Sequence, residues 1–146
     1  MSGGAHPSGA PLREHAGRVQ ILDPVRRRWV ALTPEEGVRQ SLLADLLAQG
    51  YPAGLLAVEK ALDVGHAVWR ADVVAFGRDG RPLLVAECKA PAVPVSQATF
   101  DQLARYNAAL GARALVADDG RTRYCCRLGP DGWAFQSALP RYADLA

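Results

Sequence analysis

A single α/β domain, with a mixed central sheet flanked by helices, is the fold class predicted by this 146-residue sequence. Three observations carry it. Two segments with helical apolar spacing, each with its own start and stop signal, bracket three extended runs. Two of those runs meet at Asp79-Gly80, and Asp-Gly between apolar stretches is a strong short-range hairpin signal. A short apolar run and a second hairpin follow the last helix. The expected order is α-β-β-β-α-β plus a terminal hairpin.

Residues 1–18 are rich in Gly, Pro, Ser and Ala and are expected to form a disordered leader, leaving 19–146 as the domain. Val19–Leu22 reads as a short strand or an extended lead-in, followed by Asp23-Pro24 and the basic run Arg26-Arg27-Arg28. Thr33 is a good N-cap, Pro34 occupies the favoured first helical position, and Glu36 completes a capping box. Val38, Leu42, Leu43, Leu46 and Leu47 then form an apolar stripe that Gly50 ends. Leu55–Leu62 is a strand. Trp69–Gly77 and Leu83–Lys89 are the arms of the hairpin around Arg78-Asp79-Gly80-Arg81. Pro91-Ala92-Val93-Pro94 breaks the chain, Ser96 caps a second helix running to Leu110, and Gly111 stops it. Ala114–Ala117 is a short buried strand. Arg121–Leu128 and Trp133–Gln136 make the last hairpin.

With 49% hydrophobic residues the chain can bury an ordinary core. A net charge of +2 permits a polyanionic partner without demanding one. Of the 17 basic residues only Lys60 and Lys89 are lysines, so a lysine two places after Glu87 stands out. No apolar run approaches the roughly 20 residues that span a bilayer, so no membrane partner is expected. The N-terminus lacks a secretory signal. Three cysteines, two of them the adjacent Cys125 and Cys126, make a disulfide framework a poor fit and the cytoplasm the expected location.

The hairpin carries the chemistry. A symmetric turn centred between Asp79 and Gly80 sets Asp72 directly across from Glu87, with Cβ atoms roughly 4.5–5.5 Å apart. Like charges so placed repel, and in strands otherwise made of Val, Ala, Leu and Phe they need compensation. A divalent cation is the simplest source of it. Alternation along Leu83–Lys89 projects Glu87 and Lys89 on one face. Two carboxylates, helped by the Cys88 carbonyl, suit Mg²⁺, which keeps several waters and takes substrate phosphate oxygens. Lys89 could then orient or deprotonate a water, or neutralise charge building on a phosphate. A surface ion pair between Glu87 and Lys89, with Asp72 merely solvated, explains the same residues. Arg121, Arg123 and Arg127 share a face that could track a phosphate backbone or simply be the solvated side of an outer strand.

A strand Asp, a hairpin and then Glu-x-Lys, placed between two helices, resembles the PD-(D/E)xK nuclease superfamily. Gln102 and Tyr106 on the second helix are similar to the QxxxY motif of the nuclease domain at the N-terminus of type I restriction enzyme R subunits. The surrounding text, from WVALTPEEGVR at Trp29 through ECKAP at Glu87 to YCCR at Tyr124, extends the likeness over residues 19–142. The resemblance implies a restriction-endonuclease-like fold and Mg²⁺-dependent (or Mn²⁺-dependent) hydrolysis of DNA, within a larger restriction or repair assembly. It implies Asp72 and Glu87 as metal ligands, Lys89 as the catalytic lysine, and Gln102 and Tyr106 as helix residues facing the site or the DNA. Glu36 matches an acidic residue near the metals, although its capping role alone also accounts for it. Ala71 replaces the proline that names the superfamily, a residue with no chemical part. No GxxxxGK[ST] loop occurs, so nothing points to an ATP-driven motor. A nuclease-like module that binds nucleic acid or a partner protein without cutting is the alternative.

Overall fold

The computed structural model describes residues 4–146. Inside the stretch expected to be a disordered leader, Leu12–His15 forms a strand, β1, that pairs antiparallel with β2, Arg18–Asp23. The turn between them is Ala16-Gly17, both at positive φ (53° and 77°), the backbone that closes a two-residue hairpin. Alanine is a poor advertisement for that conformation, which is why composition alone reads the segment as a leader. Residues 1–3 of that leader lie outside the described residues. β2 turns through the Asp23 carboxylate, which accepts the backbone N–H of Val25 and Arg26 at 2.6 and 2.8 Å, into β3, Arg28–Ala31. These strands form a separate three-stranded sheet ordered β1-β2-β3.

The next helix, α1, spans Pro34–Ala48 and starts where its cap predicts, with Thr33 Oγ1 accepting the N–H of Glu36 at 3.1 Å. A 3-10 turn at Ala53–Leu55 leads into β4, Leu56–Asp63, then β5, Val68–Phe76, and β6, Pro82–Cys88. Helix α2, Gln97–Leu110, ends at Gly111 in the left-handed conformation (φ 70°) that glycine tolerates best. β7 (Ala114–Asp118), β8 (Arg123–Gly129) and β9 (Gly132–Gln136) follow, and a short α3, Tyr142–Leu145, closes the chain. The expected α-β-β-β-α-β order and terminal hairpin are all present. The N-terminal sheet and α3 are additions.

The six strands β4 to β9 lie in sequence order in one mixed sheet. All neighbours are antiparallel except β6 and β7, which run parallel because α2 carries the chain back between them. Val38, Leu42, Leu43 and Leu46 of α1 pack on one side against Val73, Ala75, Leu84, Ala86 and Val116. Leu103 of α2 packs on the other against Val74, Val85 and Leu115. The central strands are therefore apolar on both faces, as buried strands with helices above and below must be. None of the described helices is long and apolar enough to cross a membrane.

Leu42 is fully buried between α1 and the sheet. Leu42→Ala should lower unfolding stability by about 2–5 kcal/mol in a denaturant titration. Val68→Ala, at a side chain 72% exposed, should stay within about 0.5 kcal/mol of the parent.

Candidate functional site

The β5–β6 register decides where the acids go. Val73 pairs with Ala86, Val74 with Val85 and Ala75 with Leu84, and the same register continued by one pair sets Asp72 across from Glu87. Next to the turn the symmetric register fails, since Phe76 meets Pro82, and it is the irregularity between Ala75 and Phe76 that brings the acidic end into the expected pairing. Asp72 Oδ2 accepts the backbone N–H of Cys88 at 2.8 Å, which ties its carboxylate to the strand carrying Glu87. Lys89 lies just past β6, fixed by its N–H donating to the Asp118 carbonyl at 2.8 Å, and its Nζ stands 3.5 Å from Glu87 Oε1.

Burial, and after it the charge of Asp72, push the Glu87 carboxyl up to about 7, against the pull of Lys89. Glu35 is raised as well, by burial and then by Asp72. Negative charge is thus undercompensated around Asp72 and Glu87. Among the described residues no three His, Cys, Asp or Glu side chains are gathered closely enough to grip an ion by themselves. Asp72 and Glu87 are the two carboxylates that could hold a hard divalent ion which keeps much of its water, the habit of Mg²⁺.

Beside Glu36, the first turns of α1 bring Arg39 and Glu35, which the sequence reading did not place here. Arg39 Nη2 donates to Asp72 Oδ1 at 2.8 Å, and Nη1 donates to Glu36 Oε1 at the same distance. Burial disfavours the Arg39 charge, yet the hydrogen bond to Asp72 and the charge of Glu36 outweigh it and raise its pKa further. Glu36 therefore does not complete a capping box. Its carboxylate turns inward, where Oε1 also accepts from Arg26 at 2.7 Å and Oε2 from Gln40 at 3.2 Å. With both oxygens engaged, Glu36 reaches Asp72 only through Arg39. Glu35, one residue earlier, is the α1 carboxylate whose charge is felt by Asp72 and Glu87. The signal for Arg39 was its spacing, three residues after Glu36 and four after Glu35, which in a bare sequence looks like an ordinary surface helix pair.

Gln102 and Tyr106 do face the same way. Gln102 Nε2 donates to the Tyr106 hydroxyl at 3.1 Å, and the Tyr106 ring stacks on Trp69 of β5 with centroids 4.8 Å apart. Their hydrogen bond is to each other rather than to the carboxylates. The expected basic face of β8 is largely spent on pairing. Arg123 bonds Asp118 and Asp45, each at 2.7 Å, and Arg127 donates to the Asp144 carbonyl at 3.0 Å. Glu59 of β4 is 42% exposed, yet its carboxylate lies 3.7 Å from Arg39.

Residues 34–140 match the family described as type I restriction enzyme R protein N terminus. Among solved structures, a fragment of an HsdR subunit of a type I restriction enzyme from Vibrio vulnificus YJ016 shares the fold, with a TM-score of 0.51 and 20% identity. The match covers 71% of this chain and 22% of that one, so this chain corresponds to about a fifth of that fragment. No curated protein matches the sequence.

The raised Glu87 carboxyl sets a pH signature. Between its ordinary 4.5 and about 7 the folded chain holds a proton there that the unfolded chain has released. The associated stability is complete below pH 4.5 and is lost as pH rises through 7. In the absence of divalent ions, Glu87→Gln should flatten this decline, by at most about 3 kcal/mol. Denaturant titrations of both proteins at pH 5 and pH 8 measure it.

Proposed function

Because this chain belongs to the family of type I restriction enzyme R protein N termini, we propose that its site hydrolyses DNA phosphodiester bonds with the help of Mg²⁺ or Mn²⁺. The observation that carries the reading is the hairpin register opposing Asp72 and Glu87, with Lys89 Nζ 3.5 Å from Glu87. A bound divalent ion supplies a water of lowered pKa and a Lewis acid for the phosphate oxygen. Asp72 and Glu87 would hold the ion, helped by the Cys88 carbonyl. Lys89, a compact and mobile charge at a half-exposed strand end, orients the attacking water or meets the charge that develops on the phosphate. Gln102 and Tyr106, braced on Trp69, offer hydrogen-bonding groups to the nucleic acid. Glu36 acts at one remove, by holding Arg39 against Asp72. The setting is the cytoplasm, where Cys88, Cys125 and Cys126 stay reduced, and the natural context is a larger restriction or repair assembly.

A second reading has one observation in its favour. Both oxygens of Asp72 already carry a hydrogen bond, from Arg39 and from the Cys88 N–H, as they would in a nuclease-like module that binds nucleic acid or a protein without cutting.

The two separate in one assay. Plasmid and single-stranded DNA are incubated with the protein in Mg²⁺ or Mn²⁺, beside Asp72→Ala and Lys89→Ala. Metal-dependent nicking by the wild type, reduced at least about 100-fold in either variant, is the expected result. Equal outcomes for all three proteins remove the hydrolytic reading, and retained gel retardation of DNA then favours the binding module.

A further inference from the structure

We propose that the small N-terminal sheet is a second DNA contact, a basic face that holds the phosphate backbone beside the acidic site. It rests on the proposal that DNA is the substrate and names where the affinity for it arises. Without its ion, the site repels a phosphate backbone. Glu35, Glu36, Glu59, Asp72 and Glu87 stand there against Arg26, Arg39 and Lys89. The charge of the chain is distributed to match. Residues 1–33 hold five of the 17 basic residues and two of the 15 acidic ones, a balance of +3. The rest of the chain, with 12 basic and 13 acidic residues, carries −1. That boundary falls where the match to the restriction-enzyme family begins, at residue 34.

The register shows which side of the sheet is free. Ile21 and Asp23 are fully buried, so the face they share packs on the body of the domain. The other face carries Arg13, His15, Arg18, Gln20 and Trp29 and no carboxylate. Arg13 Nε donates to Gln20 Oε1 at 2.8 Å, and its guanidinium carbon lies 4.5 Å from the centre of the Trp29 ring. These contacts hold Arg13 across the sheet and leave its charge unneutralised. Arg18, and Arg27 and Arg28 at the turn into β3, are exposed and form no ion pair among the described residues. A guanidinium fork matches phosphate oxygens, which suits such a cluster to a DNA backbone. The sheet is also fixed relative to the site. Asp23 binds Arg26, and Arg26 binds Glu36 of α1, each at 2.7 Å. Val30 and Ala31 of β3 line the same cleft as Glu35, Arg39 and Glu59. A duplex seated at Asp72 and Glu87 meets the sheet across that cleft.

Fluorescence anisotropy of a labelled duplex of about 30 base pairs, roughly three helical turns, tests this in EDTA over a salt series. Without metal no strand is cut, so affinity is read apart from hydrolysis. Arg13→Gln/Arg18→Gln and Arg18→Gln/Arg27→Gln should each weaken the duplex Kd about 10-fold. Each should also lower the slope of log Kd against log salt by about 2, the part due to two phosphate contacts. The second pair leaves Arg13 and its stack on Trp29 in place, so loss of the sheet does not account for its effect. Arg78→Gln/Arg81→Gln removes the same charge at the exposed β5–β6 turn and should stay within about twofold of the parent. Unchanged affinity and slope in both sheet variants, or an equal loss in the turn variant, overturns the proposal. So does a wild type that binds no duplex. A wild type that binds through the sheet yet never nicks DNA in Mg²⁺ or Mn²⁺ refutes hydrolysis and leaves this contact standing.

Discussion

The contact on which the rest of this structure leans is the bidentate reach of Arg39 from Glu36 on α1 to Asp72 on β5. Followed outward, it is the middle of a line of alternating charge that runs Asp23, Arg26, Glu36, Arg39, Asp72, with each neighbouring pair 2.7 or 2.8 Å apart. Asp23 is fully buried and belongs to β2, so the line joins the small N-terminal sheet to α1 and α1 to the main sheet. Gln40 adds a bond to both Asp23 and Glu36. Burying such groups repays its cost only when every member is paired, because a partner removed leaves a charge stranded at low dielectric. The network therefore specifies one mutual placement of three elements, and Asp72 is held in place by all of them.

That network also explains why strain and excess charge collect at one end of the sheet. Asp23, Glu35, Glu36, Glu59, Asp72 and Glu87 supply six carboxylates, against Arg26, Arg39 and Lys89 as cations. The arginines satisfy the inner members first, since those are the least exposed. Glu87 is left with Lys89 alone, half in solvent and 3.5 Å away, and its carboxyl rises accordingly. The surplus of negative charge at Glu87 is the complement of the tight pairing at Glu36, and both follow from where α1 crosses the hairpin.

How much of this was legible in the sequence depended on whether the cause was local. The opposition of Asp72 and Glu87 could be read because the Asp79-Gly80 hairpin is legible, but the turn alone does not fix it: Phe76 meets Pro82, one place off the symmetric register, and the irregularity between Ala75 and Phe76 restores the expected pairing from Ala75–Leu84 onward. The start of α1 was legible for the same reason, since a cap is a matter of three neighbouring residues. The role of Glu36 was only half legible: its N–H is capped by Thr33, but its carboxylate is claimed by Arg26, ten residues earlier, and by Arg39. Arg39 and Asp72 meet across a helix and a sheet, and no spacing rule connects them. β1 and β3 escaped notice because each is only four residues long and partly exposed. The family likeness pointed to Asp72, Glu87 and Lys89 together but said nothing of what holds them.

One backbone detail shows which way the constraint runs. Glu59 adopts φ 51°, a left-handed conformation that costs a non-glycine residue of order 1 kcal/mol or more. It lies in β4 between Val58, paired with Val73, and Lys60, paired with Ala71, so it stands across from Asp72 itself. The ladder holds on both sides of it, which means the strain is confined to one residue and imposed by its neighbours. An extended backbone at that point would continue the ladder without interruption. The conformation found instead leaves the Glu59 carboxylate within 4 Å of both Arg26 and Arg39. The departure from extended geometry thus falls at the residue facing the candidate metal ligand and beside the two arginines that hold the network together.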